Sequence, residues 1–135
     1  METNLVFNAH TITDPTISSI TNLDELNLLE NNYTHIHLGD ILNFLDLQEI
    51  IPVLTQVKSK LAKGGCVTIE QFDQFEVCLG IVSGKLSSAD FNNINSVRKN
   101  ILNIQDTFEV VSKAGYKIAN REIDAFKHLI RAINE

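Results

Sequence analysis

Between Tyr33 and Phe72 the spacing of apolar and polar residues changes period twice, and the rest of the chain is organised around that stretch. From Tyr33 to Leu38 the residues alternate. Tyr33, His35 and His37 fall on one side and Thr34, Ile36 and Leu38 on the other, the two-residue period of a half-buried strand. Gly39-Asp40 breaks it, and Ile41, Leu42, Phe44 and Leu45 make a compact apolar turn with Asn43 among them. From Asp46 the period becomes helical. Asp46 is an expected N-cap with Glu49 at the capping-box spacing, and Leu47, Ile50, Ile51, Leu54, Val57 and Leu61 form one stripe. Pro52 comes too late for a first turn and should bend or restart the helix. Gly64-Gly65 is expected to end it through a left-handed cap. Cys66 to Ile69 is then a nearly continuous apolar run, as in an inner strand covered on both faces. The order strand, helix, strand reads as a parallel β-α-β unit.

The flanks are placed relative to this unit. Asn4 to His10 suits a short strand, followed by a turn at Thr11 to Thr16; Ile17 to Leu23 is ambiguous, Ile17 and Ile20 suiting a strand, while Asp24 to Glu30 suits a short acidic helix. After the unit, Asp73 to Ser83 reads as a helix with Asp73 as its N-cap and Phe75, Leu79 and Val82 as its inward side. A second helix starts near Ser88 with Phe91, Ile94, Val97 and Ile101. The asparagine-rich stretch Asn92 to Asn103 reads as a surface connection. Asn103 to Ala114 is a further helix with the stripe Ile104, Phe108, Val111 and a stop at Gly115. Tyr116 to Ile123 and Ala125 to Ile133 are strand-like runs, expected to close the sheet as an antiparallel hairpin. Together these elements predict one α/β domain over residues 1–135: a three-layer α/β/α sandwich, mostly parallel, with an antiparallel C-terminal strand.

Composition narrows the function classes. At 135 residues with 44% hydrophobic and 21% charged residues, the chain has the balance of one globular domain. A net charge of -6 argues against binding along a phosphate backbone, and Lys58, Lys60 and Lys63 read as the solvated face of a helix. The two cysteines, Cys66 and Cys78, form no C-x-x-C pair; Cys66 is expected to be a buried free thiol in a reducing compartment. No signal-like leader and no apolar run of membrane-spanning length is present, which points to a cytoplasmic protein with no membrane contact.

Several short motifs resemble one family. The turn Ile41-Leu42-Asn43-Phe44-Leu45, the helix ending Leu61-Ala62-Lys63-Gly64-Gly65, and the strand after it are similar to the second half of class I S-adenosylmethionine-dependent methyltransferases. There a fourth strand leads to such a turn, a helix and a fifth strand. Phe108 to Ile118 (FEVVSKAGYKI) resembles the helix that runs into the family's sixth strand, and Ile123 to Ile133 would be its antiparallel seventh. The resemblance covers about Tyr33 to Asn134 and implies a Rossmann-like methyltransferase fold. The chain departs from the family at its cofactor loop. Family members hold S-adenosylmethionine with a glycine-rich loop after the first strand, because only glycine lets backbone approach the ligand closely. Here no glycine precedes Gly39. About thirty residues before the fourth-strand equivalent are too few for three βα units. The expectation is a truncated domain of a kind suited to a compact phage-encoded protein, which would act in the host cytoplasm.

Candidate site residues follow from position and resemblance. Asp40 lies just past the end of a parallel strand, where open α/β sheets keep their ligands, or else caps the turn after it. Glu70 and Gln71 follow the second inner strand at the same edge. Glu70 there could bind a hydroxyl or amine or act as a base, or could simply precede the helix start at Asp73. The resemblance makes Asp40, Ile41, Glu70 and Gln71 the candidate cofactor-binding residues, with S-adenosylmethionine as the candidate cofactor. His35 and His37 share a strand face at a spacing that can hold a metal, but no third ligand is evident and packing is the expected role; His10 and His128 are not placed. No serine or cysteine has a nucleophile setting, so no catalytic residue is assigned. Two function classes follow. One is a methyltransferase-like module without catalysis that acts through a protein partner or a second copy. The other is an active methyltransferase whose site a second subunit completes. Binding of a different small ligand is a third.

Overall fold

The computed structural model describes residues 4–7, 18–20, 22–28 and 33–135. They form a six-stranded sheet with helices. In chain order the elements are β1 (Asn4–Phe7), β2 (Ser18–Ile20), α1 (Leu23–Leu28), β3 (Tyr33–Leu38), a 3-10 turn (Ile41–Phe44), α2 (Leu47–Lys60), β4 (Leu61–Phe72), α3 (Gln74–Val82), α4 (Ser88–Ser96), α5 (Ile104–Lys113), β5 (Lys117–Asp124) and β6 (Lys127–Ile133). The strand order is β2-β1-β3-β4-β6-β5. β1, β2, β3 and β4 run parallel, while β6 lies antiparallel between β4 and β5. The expected Rossmann-like arrangement with a closing antiparallel strand is the one observed. The N-terminal segment, left open by its sequence, completes the sheet: β1 pairs with β3 and β2 with β1. The expected strand and turn residues 8–16 lie outside the described residues.

One face of the sheet carries the core. Leu5, Phe7, Ile36, Leu38, Val67, Ile69 and Ala132 point to it, and α1 (Leu26), α2 (Ile50, Val53, Leu54, Val57) and α5 (Val111) pack on them. Each such aliphatic side chain contributes up to about 1.5–3 kcal/mol by leaving water. Tyr116 fastens the layer by donating its hydroxyl hydrogen to the Leu54 carbonyl at 2.7 Å. The opposite face carries Val6, His35, His37, Thr68, Glu70 and Arg131, by register with their neighbours, and contributes nothing to that core.

Four local expectations are corrected. α2 starts as expected, the Asp46 N–H donating to Glu49 Oε1 at 3.0 Å, but it runs through Pro52 without restarting. Pro52 and Gln48, whose carbonyl loses its partner, are both exposed, so water can satisfy that carbonyl. Second, Gly64-Gly65 does not end the helix; Leu61 does, and it leads straight into β4 because its side chain is buried in the core. The glycines instead make a bulge inside β4, where Leu61 pairs with Tyr33 and Cys66 already pairs with His35. Gly64 has φ +80°, and a Cβ on Gly65 would lie 2.8 Å from the Ala62 carbonyl oxygen and 3.1 Å from that of Tyr33. Asn134 holds the bulge, its N–H donating to Gly65 O at 2.9 Å and its amide to Leu61 O at 3.2 Å.

The third correction concerns α3. Its expected inward residues Phe75, Leu79 and Val82 are 65%, 48% and 85% exposed, while Val77 and Gly80 are buried. The missing side chain of Gly80 decides this: a Cβ there would meet the Phe126 ring at 2.7 Å and Leu86 at 2.8 Å, so only glycine lets those two close on the helix. Fourth, Cys66 is half-buried rather than buried; Cys78 is exposed, and both are free thiols.

The two glycines of the bulge should respond differently to alanine. Gly64→Ala meets open space and should cost about 1–2 kcal/mol for its left-handed backbone, whereas Gly65→Ala must push two backbone oxygens and should cost more. Urea unfolding of both variants measures this, and equal costs would contradict the described packing.

Candidate functional site at the carboxyl edge of the sheet

β1, β3 and β4 end at one edge, tied by the Gly39 N–H donating to the Phe7 carbonyl at 3.0 Å. Asp40 sits there, as its sequence position implied. Its carboxylate is already engaged: Arg98 Nη2 lies 3.1 Å from Asp40 Oδ2, with side-chain exposures of 12% and 18%. The guanidinium stacks between two rings, 4.6 Å from the centre of Phe72 and 5.3 Å from that of Phe44, and Nη1 donates to the Ile94 carbonyl at 2.9 Å. Delocalised charge, a flat shape and several donors suit arginine to such a stacked, paired position. Asp40 Oδ1 and Arg98 Nε are buried without hydrogen-bond partners.

The residues after Arg98 are clamped to the same edge. The Lys99 and Asn100 N–H groups both donate to the Asn43 carbonyl, at 2.8 and 3.2 Å, and the Asn100 amide donates to the carbonyls of Leu42 (2.7 Å) and Leu45 (2.6 Å). Asn43 returns a bond to Asn100 O at 3.2 Å. The stretch expected to be a surface connection therefore closes over the 3-10 turn. Its last asparagine, Asn103, N-caps α5 by accepting from the Asp106 N–H at 2.9 Å. Asparagine suits both jobs because its short amide bonds backbone directly.

The other candidate residues do not converge on Asp40. Ile41 is 7% exposed and belongs to the core. Gln71 is buried and turns its amide inward, donating to Thr107 Oγ1 at 3.0 Å and to His128 Nε2 at 3.1 Å. Glu70 points to the opposite sheet face, half-buried, beside a cleft of about 80 Å³ that Glu122, Asp124 and Lys127 also line. Its charge opposes the effect of burial on His37, which holds that imidazole below its ordinary pKa. His35 accepts or donates with Thr68 Oγ1 at 2.9 Å. Among the described residues no group of three or more His, Cys, Asp or Glu is placed to hold a metal.

His128, unplaced from sequence, is the centre of a buried network. Its Nδ1–H donates to Asp73 Oδ1 at 2.8 Å, with both side chains at most 1% exposed. Asp73 Oδ2 accepts from the Glu76 N–H at 3.0 Å, so the expected N-cap is present and does a second job. With the proton on Nδ1, Nε2 is free to accept from Gln71, and Thr107 passes its own hydroxyl hydrogen to Asn103 O at 3.2 Å. Burial pushes the His128 pKa down; the Asp73 hydrogen bond and charge pull it partly back. A histidine–aspartate pair can serve as a base, but here no ring nitrogen faces solvent or a nucleophile, and the pair holds structure. Nothing in local spacing marks it, since its members come from β4, the start of α3, α5 and β6.

No family model and no curated protein sequence matches the chain. Solved structures do. A chain of the complex between the Haloferax volcanii Trm112 methyltransferase activator and a methyltransferase aligns with TM-score 0.68 at 9% identity, covering 98% of this chain and 84% of that one. An Archaeoglobus fulgidus SAM-dependent methyltransferase aligns with TM-score 0.66 at 9% identity, covering 98% and 86%. The fold is that of the Rossmann-like methyltransferases. The pyocyanin biosynthetic protein PhzM aligns with TM-score 0.62 at 14% identity over 89% of this chain, which spans only 36% of PhzM. Among the described residues no helix is long and apolar enough to cross a membrane.

Two predictions test the site's electrostatics. Since the folded pKa values of His128 and His37 lie below their unfolded value near 6.5, the unfolded chain takes up protons first as pH falls. Stability should be full above about pH 6.5 and decline below it, and His128→Gln should flatten part of that decline; urea midpoints between pH 8 and 5 that do not move would refute the buried neutral imidazole. Arg98→Ala leaves Asp40 poorly solvated and should destabilise by about 1–3 kcal/mol, with Asp40→Asn,Arg98→Ala recovering part of the loss.

Proposed function

We propose that this chain is a methyltransferase-fold module that does not transfer methyl groups by itself and acts through a protein partner. The observation that carries this reading is the Asp40–Arg98 pair. At the strand ends, where such a fold keeps its ligand, the acidic side chain is paired with the chain's own arginine, which lies against the rings of Phe44 and Phe72. S-adenosylmethionine carries a positive sulfonium and ribose hydroxyls, and the four residues expected to meet it do not make a fitting cradle. Asp40 is ion-paired with Arg98, Ile41 and Gln71 are buried, and Glu70 faces the other way. Partner dependence is in keeping with the similar Haloferax volcanii structure, a complex with an activator protein.

One observation favours the active alternative. Asp40 Oδ1 is buried and has no partner, as if a hydroxyl or cation were to bind there with S-adenosylmethionine, Glu70 and a second subunit completing the site. Isothermal titration decides between the two. The proposal expects no heat with S-adenosylmethionine at millimolar concentration, for the chain and for Arg98→Ala alike. Micromolar binding that Asp40→Ala and Glu70→Ala abolish would overturn it in favour of an enzyme.

A further inference from the structure

α3 presents an apolar stripe to solvent. Phe75, Cys78, Leu79 and Val82 stand at i, i+3, i+4 and i+7, the spacing of one helix face, and Phe75, Leu79 and Val82 are 65%, 48% and 85% exposed. Helix faces of this kind are ordinarily buried against another element, and this one is exposed because Gly80 turns the opposite side of α3 toward Phe126. Directly beside the stripe lies a groove of about 410 Å³ with Leu79, Gly80, Ser83 and Phe126 in its walls and Glu76 and Lys85 at opposite ends of the helix.

We infer that α3 is the contact surface for a second copy of this chain, two α3 helices packing antiparallel across a two-fold axis near Leu79. The argument rests on self-complementarity, the condition for a contact that uses one patch on both subunits. An exposed ring and a groove of about 410 Å³ occur on the same surface, and in this packing Phe75 of each copy seats in the groove of the other. The antiparallel direction sets the large Phe75 against the small Val82 at both ends of the seam. It also brings Glu76 of each copy toward Lys85 of the other, two opposite-charge contacts at once, whereas parallel packing would oppose Glu76 to Glu76. The β5 edge of the sheet is exposed but studded with Lys117, Arg121, Glu122 and Asp124, charges that discourage strand addition there. The exposed apolar side chains amount to on the order of 400 Å² per copy, about half of a standard interface half. Association is therefore expected to depend on concentration.

This inference deepens the partner-dependent reading by naming the partner, and it rests on that reading. Sedimentation velocity of the full chain from micromolar to millimolar concentration tests it. The expected result is a mass rising from one chain of 15.1 kDa toward two, with Phe75→Asp and Val82→Asp both held at one. Both positions are exposed, so neither substitution should disturb folding. Glu76→Lys should weaken the dimer about tenfold, and adding Lys85→Glu should restore it. A single-chain mass at every concentration, or a dimer indifferent to Phe75→Asp, overturns the inference. Such a monomer that also gives no heat with S-adenosylmethionine would leave the non-catalytic reading standing with a different protein as partner.

Discussion

A neutral imidazole shut away from water holds the carboxyl edge of this sheet together. His128 on β6 reaches Asp73 on one side and Gln71 on the other, and Gln71 reaches Thr107 on α5. Three stretches distant in sequence, the β4–α3 junction, α5 and β6, are thereby fixed where a ligand site of this fold would lie. The arrangement works because donors and acceptors match along the chain of bonds. Asp73 accepts twice, the imidazole donates once and accepts once, and the amide donates twice. Gln71 Oε1 alone of these atoms is buried without a partner; the bonds that are made resist displacement, since breaking one strands its groups in a medium without water.

That rigidity shapes what the edge can do. α3 starts from a fixed N-cap, and the chain after α4 returns over the 3-10 turn, where Asn43 and Asn100 exchange bonds with each other's backbone. Arg98 arrives on this return and fills the space between Phe44 and Phe72 beside Asp40. Asp40, the acidic residue at the strand ends, meets an arginine of its own chain. Fold and function are separable in α/β proteins, so the shared fold by itself assigns no chemistry to this edge.

The apolar surface that remains is on α3, and its exposure follows from packing rather than composition. A stripe at Phe75, Leu79 and Val82 looks inward by its period alone, because period reports that a helix has an apolar face, not which way the face turns. Gly80 settles the direction, since only a bare backbone admits Phe126 and Leu86 so closely.

Much of the architecture was legible from the chain alone. Alternation at Tyr33 to Leu38, the helical stripe with its Asp46–Glu49 start, the apolar run at Cys66 to Ile69 and the two closing strands are local signals, and local signals survive folding because they reflect backbone geometry and the need to bury one face. What lay beyond the sequence depended on contacts between distant residues. The glycine pair became a bulge because Asn134 and β3 meet it, Pro52 was tolerated because the Gln48 carbonyl it leaves unpaired belongs to an exposed residue, and Asp40 was closed off by Arg98, 58 positions later. His128 carried no signal at all, because a buried histidine acquires its partners only when β4, β6, α3 and α5 come together.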